Sequence, residues 1–202
     1  SVLQSGQQKF ASTNSFHFLL TTQHPGSAPS LADLYPTKAE GDVLLPNKIQ
    51  ANVTVALGAL SVTTQVIAIG SDAWVLDPTT QKWQKTDQIT SLTKIFDPQT
   101  GLGSLLTQIN TPSKPTDRSV GGTHCWSIHG TLPAEKVAGL VGASAPSSQP
   151  LDVSVCVGKD DHQLYLVSLT GQLIAGDTAQ TEHDFQLSKF NVPVTISAPV
   201  VA

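Results

Sequence analysis

The chain has 202 residues, 13% of them charged, and a net charge of −4 from 11 Lys+Arg against 15 Asp+Glu. That length suffices for one domain, expected to span 1–202, with a sizeable core. The only arginine is Arg118 and no basic run exists, which argues against nucleic acid as a partner and against charge-driven attraction to anionic membranes.

Methionine is absent, so the chain is expected to be a processed or trimmed product from which any signal peptide has gone. No apolar run approaches the ~18 residues of a spanning helix. Low charge density with abundant Ser, Thr, Gln, Gly and Pro is common in exported proteins.

In chain order, residues 2–12 read as a short helix with Val2, Leu3 and Phe10 apolar. Residues 16–22 read as a strand with Phe16, Phe18 and Leu20 on one face. Pro25, Gly26, Pro29 and Pro36 mark 24–36 as a long loop. Strands are expected at 39–45, 48–57 and 60–69. In the second, Ile49, Ala51, Val53, Val55 and Leu57 alternate with Gln50, Asn52 and Thr54, and Gly58-Ala59 makes a tight connection to the third. Short strands at 73–76 and 83–85 flank the turn 77–82.

Helical spacing follows in Ile89, Leu92 and Phe96, interrupted by Asp97-Pro98. A second helix is expected over 100–109, with Leu102, Leu105, Leu106 and Ile109 as its stripe. Residues 110–118 read as a loop and 120–131 as a hairpin or long strand. Pro133 opens a helix with Val137, Leu140 and Val141 apolar. Strands at 151–157, 163–169 and 182–190 precede a Pro-rich tail. Strands, then helices, then strands joined by tight turns predict an α+β fold: an antiparallel sheet with helices on one face.

No chemistry-bearing constellation stands out. His124 and His129 are five apart in a strand and face opposite ways, so they cannot share a metal. His17 lies opposite Phe16 and Phe18, as a surface or hydrogen-bonded histidine does. His162 falls in a turn, and His183 near a strand start with Asp184 its only obvious carboxylate neighbour. GxSxG, HExxH, GxGxxG and P-loop patterns are missing. Gly101-Leu102-Gly103-Ser104 reads as a helix start, not a phosphate loop. Asp160-Asp161 read as solvated turn residues, and the sequon Asn52-Val53-Thr54 is discounted because it lies in a strand. No catalytic residue, metal ligand or cofactor is assigned, and enzyme activity is not expected.

Cys125 and Cys156 each sit mid-strand in an apolar run. In an oxidising compartment they would pair; two free buried thiols are the other reading, and the disulfide is favoured. It would close a loop of about 32 residues, worth on the order of 3–4 kcal/mol in the chain-entropy model.

Several segments together resemble the mycobacterial LppX/LprA/LprF/LprG lipoprotein family. Phe96-Asp97-Pro98-Gln99-Thr100-Gly101-Leu102-Gly103-Ser104-Leu105-Leu106 is similar to a D-P-x-T-G-L-x-x-L-L element. Gly122 to Val137, with Ile128-His129-Gly130-Thr131-Leu132-Pro133-Ala134, resembles its strand–helix element. Asp161-His162-Gln163-Leu164, Leu187-Ser188-Lys189-Phe190 and Ser15-Phe16-His17-Phe18 match further elements, the second with Phe where the family has Trp. The resemblance covers about residues 2–197, and the cysteine pair inclines it toward the LprF-like members.

It implies a curved, half-open antiparallel sheet, or half-barrel, similar to LolA and LolB, with helices on its concave face. It also implies a cavity between the two layers that takes acyl chains of a glycolipid or lipoglycan. The lining would be Ile49, Ala51, Val53, Val55 and Leu57, with Val66 and Leu76, against Leu92, Phe96, Leu102, Leu105, Leu106, Ile109, Val137, Leu140 and Val141. Export, anchoring on the outer side of the membrane through an acylated Cys upstream of this chain, and a monomeric state are the further expectations. The rival expectation is a structural or sensory surface lipoprotein with a filled core.

Overall fold

Short alternating segments punctuated by Gly, Pro, Asn and Asp assemble into one antiparallel sheet. A computed structural model describes residues 1–26, 35–57, 60–87, 89, 92–140 and 142–201, apart from the side chains of Leu57 and Leu92. The strands are β1 (Ser15–Gln23), β2 (Tyr35–Leu44), β3 (Lys48–Leu57), β4 (Leu60–Ile69), β5 (Asp72–Leu76), β6 (Trp83–Lys85), β7 (Thr116–Val120), β8 (Thr123–Leu132), β9 (Leu151–Gly158), β10 (Leu164–Thr170) and β11 (Glu182–Ser188). Their order is β6-β5-β4-β3-β2-β1-β11-β10-β9-β8-β7. The chain meanders outward from β1 to one edge, crosses to the other edge at β7, and meanders back until β11 pairs with β1.

The sheet is open, with β6 and β7 at its two edges. β6 has only 3 residues, and the largely exposed β7 carries Asp117 and Arg118. Short or charged edges discourage pairing with a second chain. Gly121 and Gly122 join β7 to β8 with φ of 56° and 83°. Such a two-residue turn with both central φ positive matches the twist of a hairpin and favours glycine at both places.

The helices are α1 (Val2–Ala11), α2 (Leu92–Ile95), α3 (Leu102–Leu105), continued by a 3-10 turn at Leu106–Gln108, and α4 (Ala134–Leu140). A capping box starts α1: the Ser1 hydroxyl accepts from the Gln4 N–H while the Gln4 side chain accepts from the Ser1 amino group. Helix α1 packs on β9, β10 and α3, and α2 packs on β3 and β4. Leu3, Phe10, Phe96, Leu102, Leu105, Leu106, Ala134 and Val137 therefore share one large core cluster with the inward-facing side chains of the sheet.

Register carries this inner face across the molecule. One row runs Thr64–Val53–Ala39–Leu20–Phe185–Val167–Val155–Ile128, from β4 to β8. The outer face is mainly polar, with two apolar patches. Near one edge, Val194 and Ile196 of the C-terminal tail pack over Ile67, Trp74 and Trp83. Near the other, a Cys125–Cys156 disulfide joins β8 to β9, with a Cα–Cα distance of 5.5 Å, beside Leu166.

The fold class is as predicted, and most strand bounds lie within two residues of expectation. The loop expected at 24–36 ends earlier, because Tyr35 and Pro36 already belong to β2; its 27–34 part lies outside the described residues. The loop expected at 110–118 yields to β7 from Thr116, a polar edge strand with no apolar alternation to announce it. The helical stretch at 89–96 shortens to α2, and 100–109 to α3 and its 3-10 turn.

Candidate functional site

The inner face is covered unevenly. Under α1, β9 and β10 present Leu164, Val167, Val155 and Val157, each at most 2% exposed. Packing is close enough there that a Cβ on Gly103 would lie 2.4 Å from the Phe10 ring, so α3 needs glycine at that contact. On β2–β5 small inward residues, Ala39, Gly41, Ala51, Ala68 and Ala73, are interspersed with Val43, Ile49, Val53, Val66 and Val75. Beside this region lie Ile95, which ends the four-residue α2, and Phe96 just after it, whose ring centroid is 5.0 Å from that of Phe18 and, edge-on, 5.3 Å from that of Phe16 on β1.

Along β3 and β4 the cover that the described residues provide gives out. Ile49 and Ala51 are 2% and 5% exposed, Val53 and Val55 are half-buried, and so is Val62 opposite Val55. Leu60, beyond Val62 on the same face, is 73% exposed. From Ile49 to Ser71 the sequence holds no charged residue. The result is an apolar strip, walled by small side chains at one end and, among the described residues, left uncovered at the other.

Most of the expected lining sits in or beside this core. Ile49, Ala51, Val66, Phe96, Leu102, Leu105, Leu106, Ile109 and Val137 are buried in the large cluster. Val53 and Leu140 pack against it half-buried. Leu76 is a correction: it pairs with Trp83 and shares the outer face with Trp74, while Val75 is the β5 residue that faces inward. One-residue alternation decides the face, and a five-residue strand offers few positions to fix the phase. Val141 and the side chains of Leu57 and Leu92 lie outside what is described.

Beside the strip, at the same end of the sheet, is a buried polar group that sequence reasoning missed. The Tyr35 hydroxyl donates to Asp177 Oδ1 at 2.5 Å, and His183 Nε2 lies 2.9 Å from Asp177 Oδ2. Backbone N–H groups of Leu173 and Ile174 also donate to Oδ2. Thr22 Oγ1 meets His183 Nδ1 at 3.1 Å. Burial alone would push the Asp177 carboxyl up, but the bonds from His183, Tyr35 and Ile174 outweigh it and hold it below the usual carboxylate range. Burial, then the Asp177 bond and charge, push the Tyr35 hydroxyl up to about 12.

His183 thus has a fixed carboxylate partner, contrary to expectation, and it is Asp177 rather than the adjacent Asp184. No local pattern announces this pairing, because Tyr35 and Asp177 are 142 residues apart. The network's donors and acceptors are turned on one another, so its evident work is to brace the 171–181 segment against β1, β2 and β11.

Other singled-out residues are structural. His17 stands on the outer face between Asp42 at 2.8 Å and Glu40 at 3.4 Å. Asp161 accepts from the Tyr165 hydroxyl at 2.7 Å and from the Gln163 N–H. His124 and His129 occupy opposite faces of β8 as alternation requires. Cys125 has no thiol to offer as a nucleophile. Among the described residues no helix is long and apolar enough to cross a membrane, and no three His, Cys, Asp or Glu side chains cluster as metal ligands do.

The sequence matches the LppX_LprAFG lipoprotein model over residues 1–196. This chain belongs to the LppX_LprAFG lipoprotein family. Its fold is similar to that of LprF from Mycobacterium bovis, with TM-score 0.76, 17% identity, and 98% of this chain and 95% of that one covered. LppX from Mycobacterium tuberculosis follows at TM-score 0.66 and 18% identity, covering 97% and 96% of the two chains. A LolA superfamily protein from Nitrosomonas europaea aligns at TM-score 0.32 and 12% identity, covering 96% and 93%. A search of curated proteins finds no match.

The D-P-x-T-G element that carries the family resemblance has a physical reading here. Asp97 Oδ1 accepts from the N–H groups of Gln99 and Thr100 and from the Thr100 hydroxyl, and the Asp97 carbonyl accepts from the Gly101 N–H. The element is a self-bonded turn that sets Leu102, Leu105 and Leu106 beneath the sheet. In this family member it serves placement of α3.

Proposed function

We propose that the inner apolar face, at the open end of the β3–β4 hairpin, binds the acyl chains of a lipid, and that this lipoprotein carries or presents that lipid in the cell envelope. The observation that carries the reading is the gradient from buried Ile49 through half-buried Val53 and Val55 to Leu60 at 73% exposure. Water is a poor neighbour for such a strip, and each acyl methylene buried on it would contribute about 0.8 kcal/mol. A glycolipid or lipoglycan suits the arrangement, because its chains could lie on the strip while a polar headgroup stays at the open end. Attachment through an acylated Cys upstream of this chain belongs to the same reading. So does a role in binding rather than catalysis, since the buried Tyr35–Asp177–His183 group is internally satisfied.

The close packing of α1 on β9 and β10, and of α3 on α1, favours a second reading, a surface lipoprotein that displays a filled domain. Native mass spectrometry separates the two. Protein purified from a host with its native lipids should carry a co-purifying lipid that exchanges for an added diacyl glycolipid. Protein that remains lipid-free under both conditions would remove the carrier reading and leave the display reading.

A further inference from the structure

The two ends of the sheet differ in charge. Register brings the end of β1, the start of β2, the end of β3, the start of β4 and the 171–181 segment to one end, where the strip loses its cover. Among the described residues at that end, 24–26, 55–57, 60–63 and 171–181 hold one charged group, Asp177, and it is buried against Tyr35 and His183. His24 is the other titratable side chain of these segments. Leu60 at 73% exposure and the exposed Ala175 stand outermost, with Ile174 half-buried between them and the core. The opposite end is charged: Lys159, Asp160 and Asp161 fill the β9–β10 turn, Lys48 and Asp72 open β3 and β5, and Lys189 follows β11.

The nearest charges are set back from the tip of β3 and β4. Lys38 pairs with Thr54, three residues before Leu57, which is about 10 Å along a strand. The Thr64 hydroxyl donates to the Leu76 carbonyl, so the turn that holds Asp77 and Lys82 starts back from Leu60 along β4. Glu182 opens β11 with its carboxylate accepting from the Ser168 hydroxyl. Glu135 and Lys136 of α4 belong to the packed side.

Charge narrows the class of partner. A bilayer interface penalises ionised side chains and accepts Leu, Ala, Gly and uncharged polar groups. A partner recognised through ion pairs finds none to make on these segments, whereas a lipid surface needs none. We propose that this end of the sheet is a membrane-docking surface, with Leu60 at the tip of β3 and β4 entering the headgroup region of a bilayer. The proposal rests on the acyl-chain reading of the strip and names the surface with which its lipid is exchanged: docked in this way, the uncovered end of the strip faces the bilayer, and an acyl chain can move between them without crossing water.

The two native cysteines are bonded to each other, so a single introduced cysteine can be labelled alone. Leu60→Cys and Asp160→Cys, exposed at opposite ends, are each labelled with the environment-sensitive dye nitrobenzoxadiazole and mixed with phosphatidylcholine vesicles, with and without phosphatidylglycerol, at low and high salt. The dye at position 60 should brighten on vesicles, and the dye at 160 should stay as it is in buffer. Phosphatidylglycerol and salt should alter the response by no more than about twofold, because no charge drives it. In the unlabelled chain, Leu60→Asp should weaken co-sedimentation with vesicles about tenfold, the loss expected when one leucine no longer leaves water, with unfolding stability unchanged. The proposal is overturned if neither dye senses vesicles, if both do so equally, if binding needs phosphatidylglycerol and vanishes at high salt, or if Leu60→Asp sediments like the parent. Native mass spectrometry keeps this separate from the reading beneath it. Lipid bound without docking removes the docking surface alone, and docking without bound lipid removes the carrier reading alone.

Discussion

The two halves of the inner face use the same alternation and are finished differently. On β8–β11 the inward side chains are mainly Leu, Val, Ile and Phe, and α1, backed by α3, lies on β9 and β10. On β2–β5 Ala and Gly are interspersed with Val and Ile, and the four-residue α2 is the helix against them. The first half reads as the part that holds the fold together. The second has apolar surface that no side chain of the described residues finishes covering. A chain that needed only a core would gain by extending the first design across the sheet, so the contrast itself points to an occupant for the second half.

If this division is right, damage to the packed half should be the most costly. Phe10 is 0% exposed and touches Phe16 and Gly103. Phe10→Ala should lower unfolding stability by about 3–5 kcal/mol, measured by urea denaturation. Leu60→Ser at the open end should change it by less than about 0.5 kcal/mol. Equal losses at the two sites would abolish the comparison.

The disulfide lies outside the core but within the packed half. Replacing Cys125 and Cys156 together by Ala should cost about 3–4 kcal/mol, from the chain entropy of a loop closed across 31 residues. Thiol titration of the unfolded, unreduced protein should find no free thiol.

The braced 171–181 segment borders the open half, and pH probes it. Tyr35 and Tyr165 are the chain's two tyrosines, both pushed up to about 12, chiefly by burial. A raised tyrosine pKa means the folded state holds its proton longer than the unfolded one. The stability this contributes is fully present below the unfolded value of about 10 and is lost as pH rises toward 12. Phenolate absorbance should therefore stay absent at pH values where a denatured sample already shows it. Asp177 has the opposite sign: its depressed pKa contributes stability above the unfolded value of about 3.9, which is lost as pH falls through the folded one. Asp177→Asn should cost about 1–3 kcal/mol and flatten the acid limb of the pH–stability curve. An unchanged acid limb would remove the brace from the account.

Legibility in sequence followed periodicity rather than the division into packed and open halves. Long alternating runs such as Lys48–Leu57 and Leu60–Ile69 fixed both strand bounds and inward residues, because burial of one face leaves a period of two. Cys125 and Cys156 were readable as a pair because both fell mid-strand. Legibility failed where the signal is not periodic. Edge strand β7 buries almost nothing, Leu76 sits in a strand too short to phase, and the Tyr35–Asp177–His183 group joins segments that only the closed topology brings together. The gradient of cover along β3 and β4 was equally hidden, since Val53 and Ile49 look alike in sequence and differ only in what lies above them.

Val53→Trp should have the smallest effect on stability and the most telling one on function. Val53 is half-buried, in register with Ala39 on one side and Thr64 on the other, so small neighbours flank it. In a filled core the added indole would overpack the site and cost about 1–3 kcal/mol. On an open strip it can lie across the sheet where an acyl chain would otherwise lie, and stability should stay close to the parent's. Displacing even two or three buried methylenes, at about 0.8 kcal/mol each, should weaken binding of a diacyl glycolipid by tenfold or more. Both quantities are read on one protein, by urea denaturation and by native mass spectrometry with added lipid. A destabilised variant would mean that the strip is core. A stable variant that binds lipid like the parent would move the acyl chains away from β3. Only stability kept and lipid lost together would leave the open half of the sheet as the place where the lipid is held.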